Sequence, residues 1–147
     1  MDKPGKQTVL FLCTGNSCRS QMAEALTNQI AGGSWTAYSA GTDPAGYVHP
    51  TALKVLEEIG ITHLGESKSV NAFIDQDFDL VVIVCDQADE NCPLWLRKGK
   101  LAHQGFRDPA AFKGTQQESL REFRTIRNQI RQQIPLLLAR YQTKDKS

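Results

Sequence analysis

The chain has 147 residues, of which 40% are hydrophobic and 22% are charged. These proportions are typical of one soluble domain and exclude a disordered or fibrous chain. Lys and Arg number 17 and Asp and Glu number 16, for a net charge of +1. The charge therefore gives no sign of a nucleic-acid or membrane partner. No apolar run approaches the ~18 residues that span a bilayer. We expect a cytoplasmic protein with one domain over residues 1–147 and flexible ends at about 1–7 and 142–147.

Short apolar runs alternate with helical patterns along the chain. Four runs predict strands, the first and third of them buried on both faces: 8–13, 35–40, 79–85 and 101–103. Three longer segments predict helices, which begin near residues 20, 50 and 117, with a short helix somewhere in 61–78. The alternation predicts an α/β domain with a mostly parallel sheet.

Finer features of the helices also follow from the sequence. Ser20 is of a residue type that caps helix N-termini, and we expect it to cap the first helix. Pro135 is expected to kink or split the last helix near its end. A row of arginines on that helix predicts a solvated face, consisting of Arg121, Arg124, Arg127 and Arg131.

The segment from Cys13 to Ser20 joins the first predicted strand to the first helix. Five residues separate Cys13 from Arg19, and Gly15 permits backbone conformations that a β-carbon resists. A loop of this kind turns backbone N–H groups toward a tetrahedral anion, and the helix N-terminus adds its positive dipole end. Arg19 supplies a planar fork for two oxygens. We expect Cys13 to be a thiolate that accepts a hydrogen bond from Ser20. The alternative is an ordinary turn that contains Cys and Arg by chance.

The other cysteines differ in their expected roles. Cys18 lies inside the loop and is interpreted as a small filler whose backbone N–H matters more than its sulfur. Cys85 and Cys92 are separated by six residues, whereas zinc ligands are usually two to four apart. A redox pair therefore fits better than a zinc site with His103 or two inert cysteines. Cys13 and Cys85 each end a predicted strand, so they can share one crevice at the carboxyl edge of the sheet.

Asp108 is the candidate general acid for a reaction at Cys13. It precedes Pro109, which stiffens its backbone, and the alternative is a solvated turn aspartate. His49 and His63 have no partners by spacing and are interpreted as structural.

Residues 11–24, FLCTGNSCRSQMAE, resemble the active-site signature of the thioredoxin-coupled arsenate reductases, within the low-molecular-weight protein tyrosine phosphatase superfamily. Cys85 and Cys92, followed by Pro93, resemble the two further redox cysteines of that family. Residues 105–110 resemble its general-acid loop. The resemblance extends over residues 8–141, and the second cysteine pair makes it specific, because the phosphatases share the first signature.

The resemblance implies a single domain with a four-stranded parallel sheet flanked by helices. It implies that Cys13 attacks arsenate, Asp108 protonates the leaving oxygen, Cys85 attacks Cys13, and Cys92 then attacks Cys85. The implied oxyanion loop consists of Thr14, Gly15, Asn16, Ser17, Cys18, Arg19 and Ser20. The implied enzyme is a monomer without a cofactor, regenerated by thioredoxin or by glutaredoxin with glutathione, the former being favoured.

Departures from the family pattern keep other interpretations open. Some members bind potassium through residues resembling Asn16, Glu24 and Ser39 plus an acid near position 68, where this chain has Lys68. A phosphatase is the first alternative, although the tyrosines that follow its acid loop are replaced by residues 110–112, AAF. A non-catalytic module that binds oxyanions and senses redox state is the second.

Overall fold

The computed structural model describes residues 6–85 and 100–142. Its four strands are β1 (Gln7–Cys13), β2 (Trp35–Gly41), β3 (Leu80–Ile83) and β4 (Lys100–His103). Its three α-helices are α1 (Arg19–Ile30), α2 (Pro50–Glu57) and α3 (Gln116–Tyr141). Short 3-10 helices cover Val70–Phe73 and Pro109–Ala111. All strands are parallel, in the order β2-β1-β3-β4, which confirms the predicted four-stranded α/β fold.

The central strand β1 brings the ends of its neighbours to the start of the Cys13 loop. Its residues from Val9 to Leu12 have no exposed surface, as the unbroken apolar run predicts. Cys13 is in register with Gly41 of β2, and Leu12 is in register with Ile83 of β3. The carboxyl ends of three parallel strands therefore meet at one edge of the sheet, which is where such sheets bind ligands.

The helices complete the hydrophobic core. α1 packs on β1, β2 and α3, and α3 also packs on α2. The inner face of α3 is formed by Phe123, Ile126, Ile130, Ile134, Leu137 and Leu138. Among the helices that the structure describes, none is long and apolar enough to cross a membrane.

The predicted N-cap of the first helix is wrong, and the last helix is not split. The N-cap of α1 is Cys18, and Ser20 lies in the first turn of the helix, where its hydroxyl contacts Cys13 Sγ. α3 continues through Pro135 without splitting. Proline removes one backbone hydrogen bond from the helix. Ile134 and Leu137, which are buried on either side of it, keep the helix packed against the core.

The arginines of α3 do not form a uniformly solvated face. Arg127 is only 8% exposed, and its Nη1 donates to the Val55 carbonyl and to Glu58 Oε1, each at 2.8 Å. Arg124 donates to Glu58 Oε2 at 2.7 Å. Hydrogen bonds from Arg124 and Arg127 lower the pKa of Glu58 below its usual value. The prediction of a solvated face is therefore wrong for Arg127. Its guanidinium lies beside the core, where the Glu58 carboxylate and the Val55 carbonyl replace its contacts with water.

Candidate active site

The carbonyl groups of the loop between β1 and α1 accept hydrogen bonds from backbone N–H groups outside the loop. The carbonyls of Thr14, Gly15 and Ser17 accept hydrogen bonds from the backbone N–H groups of residues 43, 45 and 49, at 2.9, 2.9 and 3.0 Å. Across a planar trans peptide, the N–H of the next residue points the opposite way from the carbonyl. The N–H groups of Gly15 and Cys18 thus point away from the segment that follows β2, and both residues line the cavity at the loop. This arrangement suits a tetrahedral anion.

Asn16 holds the loop in shape. Its φ of 48° lies in the left-handed region, which asparagine tolerates better than most residues. Its side chain is buried, and Oδ1 accepts the backbone N–H of Lys68 at 2.7 Å and the amide of Gln21 at 3.0 Å. Because a backbone N–H can only donate, this bond fixes which end of the Asn16 amide is oxygen.

The amide nitrogen of Asn16 in turn fixes the hydrogen bond to Cys13. Asn16 Nδ2 donates to Ser20 Oγ at 2.8 Å, and Ser20 Oγ lies 2.9 Å from Cys13 Sγ. Because Ser20 accepts from Asn16, its own proton is free to donate to the sulfur. The predicted Ser20–Cys13 contact is therefore present, with the Ser20 hydroxyl as donor and Cys13 Sγ as acceptor.

A second layer of side chains supports Asn16. The Gln21 amide nitrogen donates to the carbonyls of Glu66 and Asn16, at 2.8 and 3.2 Å, which leaves its oxygen facing His63 Nε2 at 2.7 Å. His63 must then donate, so donors run in one direction from His63 through Gln21, Asn16 and Ser20 to Cys13. Burial lowers the pKa of His63 below its usual value.

Arg19 and Asp108 form the opposite part of the site. Arg19 is only 4% exposed, and its Nη1 donates to the Phe106 carbonyl at 3.1 Å. Its Nη2 lies 3.8 Å from Asp108 Oδ2. Asp108 Oδ1 accepts the backbone N–H of Ala110 at 3.0 Å and caps the short helix that begins at Pro109. The sequence-predicted guanidinium and acid are thus together, and the proline holds the acid in place.

These groups enclose a cavity of about 210 Å³. Its lining consists of Cys13, Gly15, Ser17, Cys18, Arg19, Ala45, Tyr47, His49, Asp108 and Ala110. Burial and the negative charge of Asp108 raise the pKa of Cys18 to about 12. Cys18 is therefore a neutral thiol at pH 7.

Cys85 lies beside the loop at the end of the neighbouring strand. It has no exposed surface, and its Sγ lies 3.9 Å from Thr14 Oγ1. His103 Nε2 lies 2.8 Å from the Cys85 carbonyl oxygen. The predicted proximity of Cys85 to the Cys13 loop is thus present in the structure. Cys92 lies outside the described residues.

Comparison with known proteins places the chain in a family. Residues 8–147 match the family model of the low molecular weight phosphotyrosine protein phosphatases. An arsenate reductase of Halalkalibacterium halodurans is 42% identical over 133 residues, covering 88% of this chain and 93% of that protein. The chain belongs to this phosphatase family, on its arsenate reductase branch.

Solved structures of this branch share the fold. One described as an arsenate reductase in the phosphate binding state matches with a TM-score of 0.76 and 32% identity, covering 92% of this chain and 98% of that one. A thioredoxin-dependent arsenate reductase of Corynebacterium glutamicum matches with a TM-score of 0.63 and 28% identity, covering 93% of this chain and 64% of that one.

The residues that resemble the potassium ligands of some family members contact one another here. Ser39 Oγ donates to Glu24 Oε1, and the Lys68 ammonium lies 4.0 Å from the same oxygen. Lys68 also donates through Nζ to the Glu66 carbonyl at 2.7 Å. A positive charge thus stands beside Glu24.

Sequence patterns do not identify several residues that shape the site. A β-carbon on Gly41 would overlap the Thr14 carbonyl oxygen and lie 3.0 Å from the Asn16 nitrogen, so only glycine fits. Gln21 is fully buried and joins three segments. His49 borders the cavity in addition to its structural role. Gly41 ends a strand next to β1, which is the one signal that could have identified it.

The pKa of Cys18 leads to a prediction about thiol reactivity. At pH 7 iodoacetamide should modify Cys13, the expected nucleophile, and leave Cys18 unmodified, because a thiol with a pKa of about 12 is protonated at this pH and only thiolates react appreciably. Peptide mass spectrometry after brief labelling measures both sites. Cys18→Ser should label at the same rate as the unchanged protein, and Cys13→Ser should lose the fast phase. Fast labelling of Cys18 would contradict the assignment.

Proposed function

We propose that the protein reduces arsenate to arsenite through a Cys13 adduct and an intramolecular disulfide relay. The observation that carries this proposal is the second thiol beside the nucleophile loop, since Cys85 Sγ lies 3.9 Å from Thr14 Oγ1. A phosphatase, which hydrolyses its covalent intermediate with water, has no use for a buried thiol there. The names of the curated relatives and of the matched structures agree with this function.

The first step is the formation of the adduct. Arsenate binds with its oxygens on the loop N–H groups and on Arg19, as a tetrahedral anion of the same charge and shape as phosphate. The Cys13 thiolate attacks arsenic, and an oxygen leaves as water with a proton from Asp108. This forms a Cys13–S–As bond, with arsenic still in its +5 state.

The second step transfers the electrons. Cys85, as a thiolate, attacks Cys13 Sγ, the S–As bond breaks, and its electron pair remains on arsenic, which leaves as arsenite in the +3 state. A Cys13–Cys85 disulfide remains. Cys92 then attacks Cys85 and releases Cys13 as a thiolate, a good leaving group in the field of the loop. The resulting Cys85–Cys92 disulfide is reduced by an external dithiol.

We propose thioredoxin as that dithiol, in preference to glutaredoxin with glutathione. The Corynebacterium relative is described as thioredoxin-dependent, and the present chain carries the cysteine pair that an internal relay needs. A relay that ends in an intramolecular disulfide suits a dithiol protein, which reduces such a bond with its own two thiols.

Arsenite production by the purified protein tests the proposal, with thioredoxin and glutaredoxin systems supplied in parallel. Thioredoxin should sustain turnover, and p-nitrophenyl phosphate should be hydrolysed slowly or not at all.

Cys13→Ser should abolish both activities, because a serine hydroxyl does not ionise as a thiol does. Arg19→Lys should lower kcat/KM roughly 100-fold, because an ammonium cannot bind two oxygens at once. Fast p-nitrophenyl phosphate hydrolysis without arsenite production would favour a phosphatase.

Single-turnover experiments test the order of the cysteines. Cys92→Ser should release one equivalent of arsenite and stop as a Cys13–Cys85 disulfide, because no thiol remains to resolve it. Cys85→Ser should stop earlier, at the arsenic adduct. Disulfide mapping by mass spectrometry distinguishes the products. A Cys13–Cys92 disulfide in Cys85→Ser, with arsenite released normally, would reverse the two assigned roles.

We also propose that Lys68 supplies the positive charge that potassium supplies in some relatives. Its ammonium lies 4.0 Å from Glu24 Oε1, and its backbone N–H holds Asn16 at 2.7 Å. Reduction rates should then be equal in KCl and NaCl of the same ionic strength. Lys68→Asp should acquire a response to potassium. Activation of the unchanged protein by potassium would contradict the proposal.

A further inference from the structure

His49 connects the second crossover of the fold to the oxyanion loop. It is the N-cap of α2, and its backbone N–H donates to the Ser17 carbonyl at 3.0 Å. His49 also lines the same cavity as Cys13, Arg19 and Asp108. The proposed relay uses this imidazole in none of its steps.

The hydrogen bonds of the ring determine its tautomer. Nδ1 accepts the backbone N–H of Thr51 at 3.1 Å, so that nitrogen carries no proton. In the neutral ring the proton is therefore on Nε2. Nε2 makes no hydrogen bond with any residue in 6–85 or 100–142, and it is accessible to solvent. It is a free donor on a residue of the cavity wall.

The environment keeps the ring neutral and fixes its plane. Burial lowers the pKa of His49, and the opposing effect of the Asp108 charge is smaller. A proton on Nδ1 would also face the Thr51 N–H and break the cap. The ring packs on Phe123, with centroids 4.8 Å apart, and this contact limits its rotation. The Nε2–H of the neutral His49 ring is thereby held in one orientation.

We propose that His49 Nε2–H is a substrate-binding donor, which hydrogen-bonds the oxygen of the bound oxyanion that faces the cavity mouth. This inference rests on the proposed function for the identity of the anion. Arg19 and the loop N–H groups hold the oxygens that lie against the loop, and Asp108 delivers its proton to the outward oxygen. A neutral donor beside Asp108 orients that oxygen without adding a second positive charge.

Two amide substitutions separate this role from the capping role. In His49→Asn the side-chain oxygen can still cap α2, as asparagine commonly does, but the donor edge is removed. In His49→Gln the longer amide places an N–H near the position of Nε2, and the cap is lost. The probe is inorganic phosphate, and its Kd is measured by calorimetry on the reduced protein, with a thermal unfolding curve for each variant.

The donor role predicts that His49→Asn binds phosphate at least about tenfold more weakly, the value of one hydrogen bond to a charged oxygen, and unfolds like the unchanged protein. His49→Gln should bind within about twofold and unfold at a lower temperature. Unchanged phosphate binding by His49→Asn would overturn the proposal. Because phosphate binding needs no turnover, this result is independent of whether the protein reduces arsenate.

Discussion

The loop that starts at Cys13 has an anion-binding side because its carbonyl groups find their partners elsewhere. Three of them accept backbone N–H groups from the segment that follows β2, and the Asn16 carbonyl accepts from the Gln21 amide. The N–H groups opposite those carbonyls are left without partners in the loop itself. The anion site is therefore a consequence of how the second crossover lies against the first. Gly41, where β2 ends, is what allows that approach.

The same arrangement orients the hydrogen bonds that reach the nucleophile. A backbone N–H always donates and a backbone carbonyl always accepts, so backbone groups determine which end of the Asn16 and Gln21 amides is oxygen. The Asn16 amide in turn determines that the Ser20 hydroxyl accepts from it. This series of hydrogen bonds ends at Cys13, whose sulfur faces the Ser20 hydroxyl before the substrate arrives. Such preorganisation needs no rearrangement during the reaction, which is the general advantage of a built electrostatic site. Cys18 is five residues away in sequence, but burial and Asp108 keep it neutral.

The sequence predicts those parts that local patterns determine. The apolar runs at residues 8–13 and 79–85 identify β1 and β3, because a strand buried on both faces has no other pattern. Cys13 and Cys85 are recognisable as cysteines at the ends of predicted strands, Arg19 by its place at a helix start, and Asp108 by the proline that follows it. The roles of Ser20, Arg127 and His49 depended on tertiary neighbours. Ser20 bonds to Asn16 and Cys13 instead of capping, Arg127 meets Glu58 from another helix, and His49 reaches the cavity only because α2 begins beside the loop.

The complete burial of Cys85 has a consequence for how the protein survives in air. Dissolved peroxide oxidises a thiol only when it reaches the sulfur, and this sulfur is covered by protein on all sides. The thiol is thus protected during storage and between encounters with substrate. In the proposed relay, Cys85 is oxidised when it attacks the Cys13 adduct. Oxidising equivalents thus reach Cys85 in stoichiometric proportion to the arsenate that has reacted.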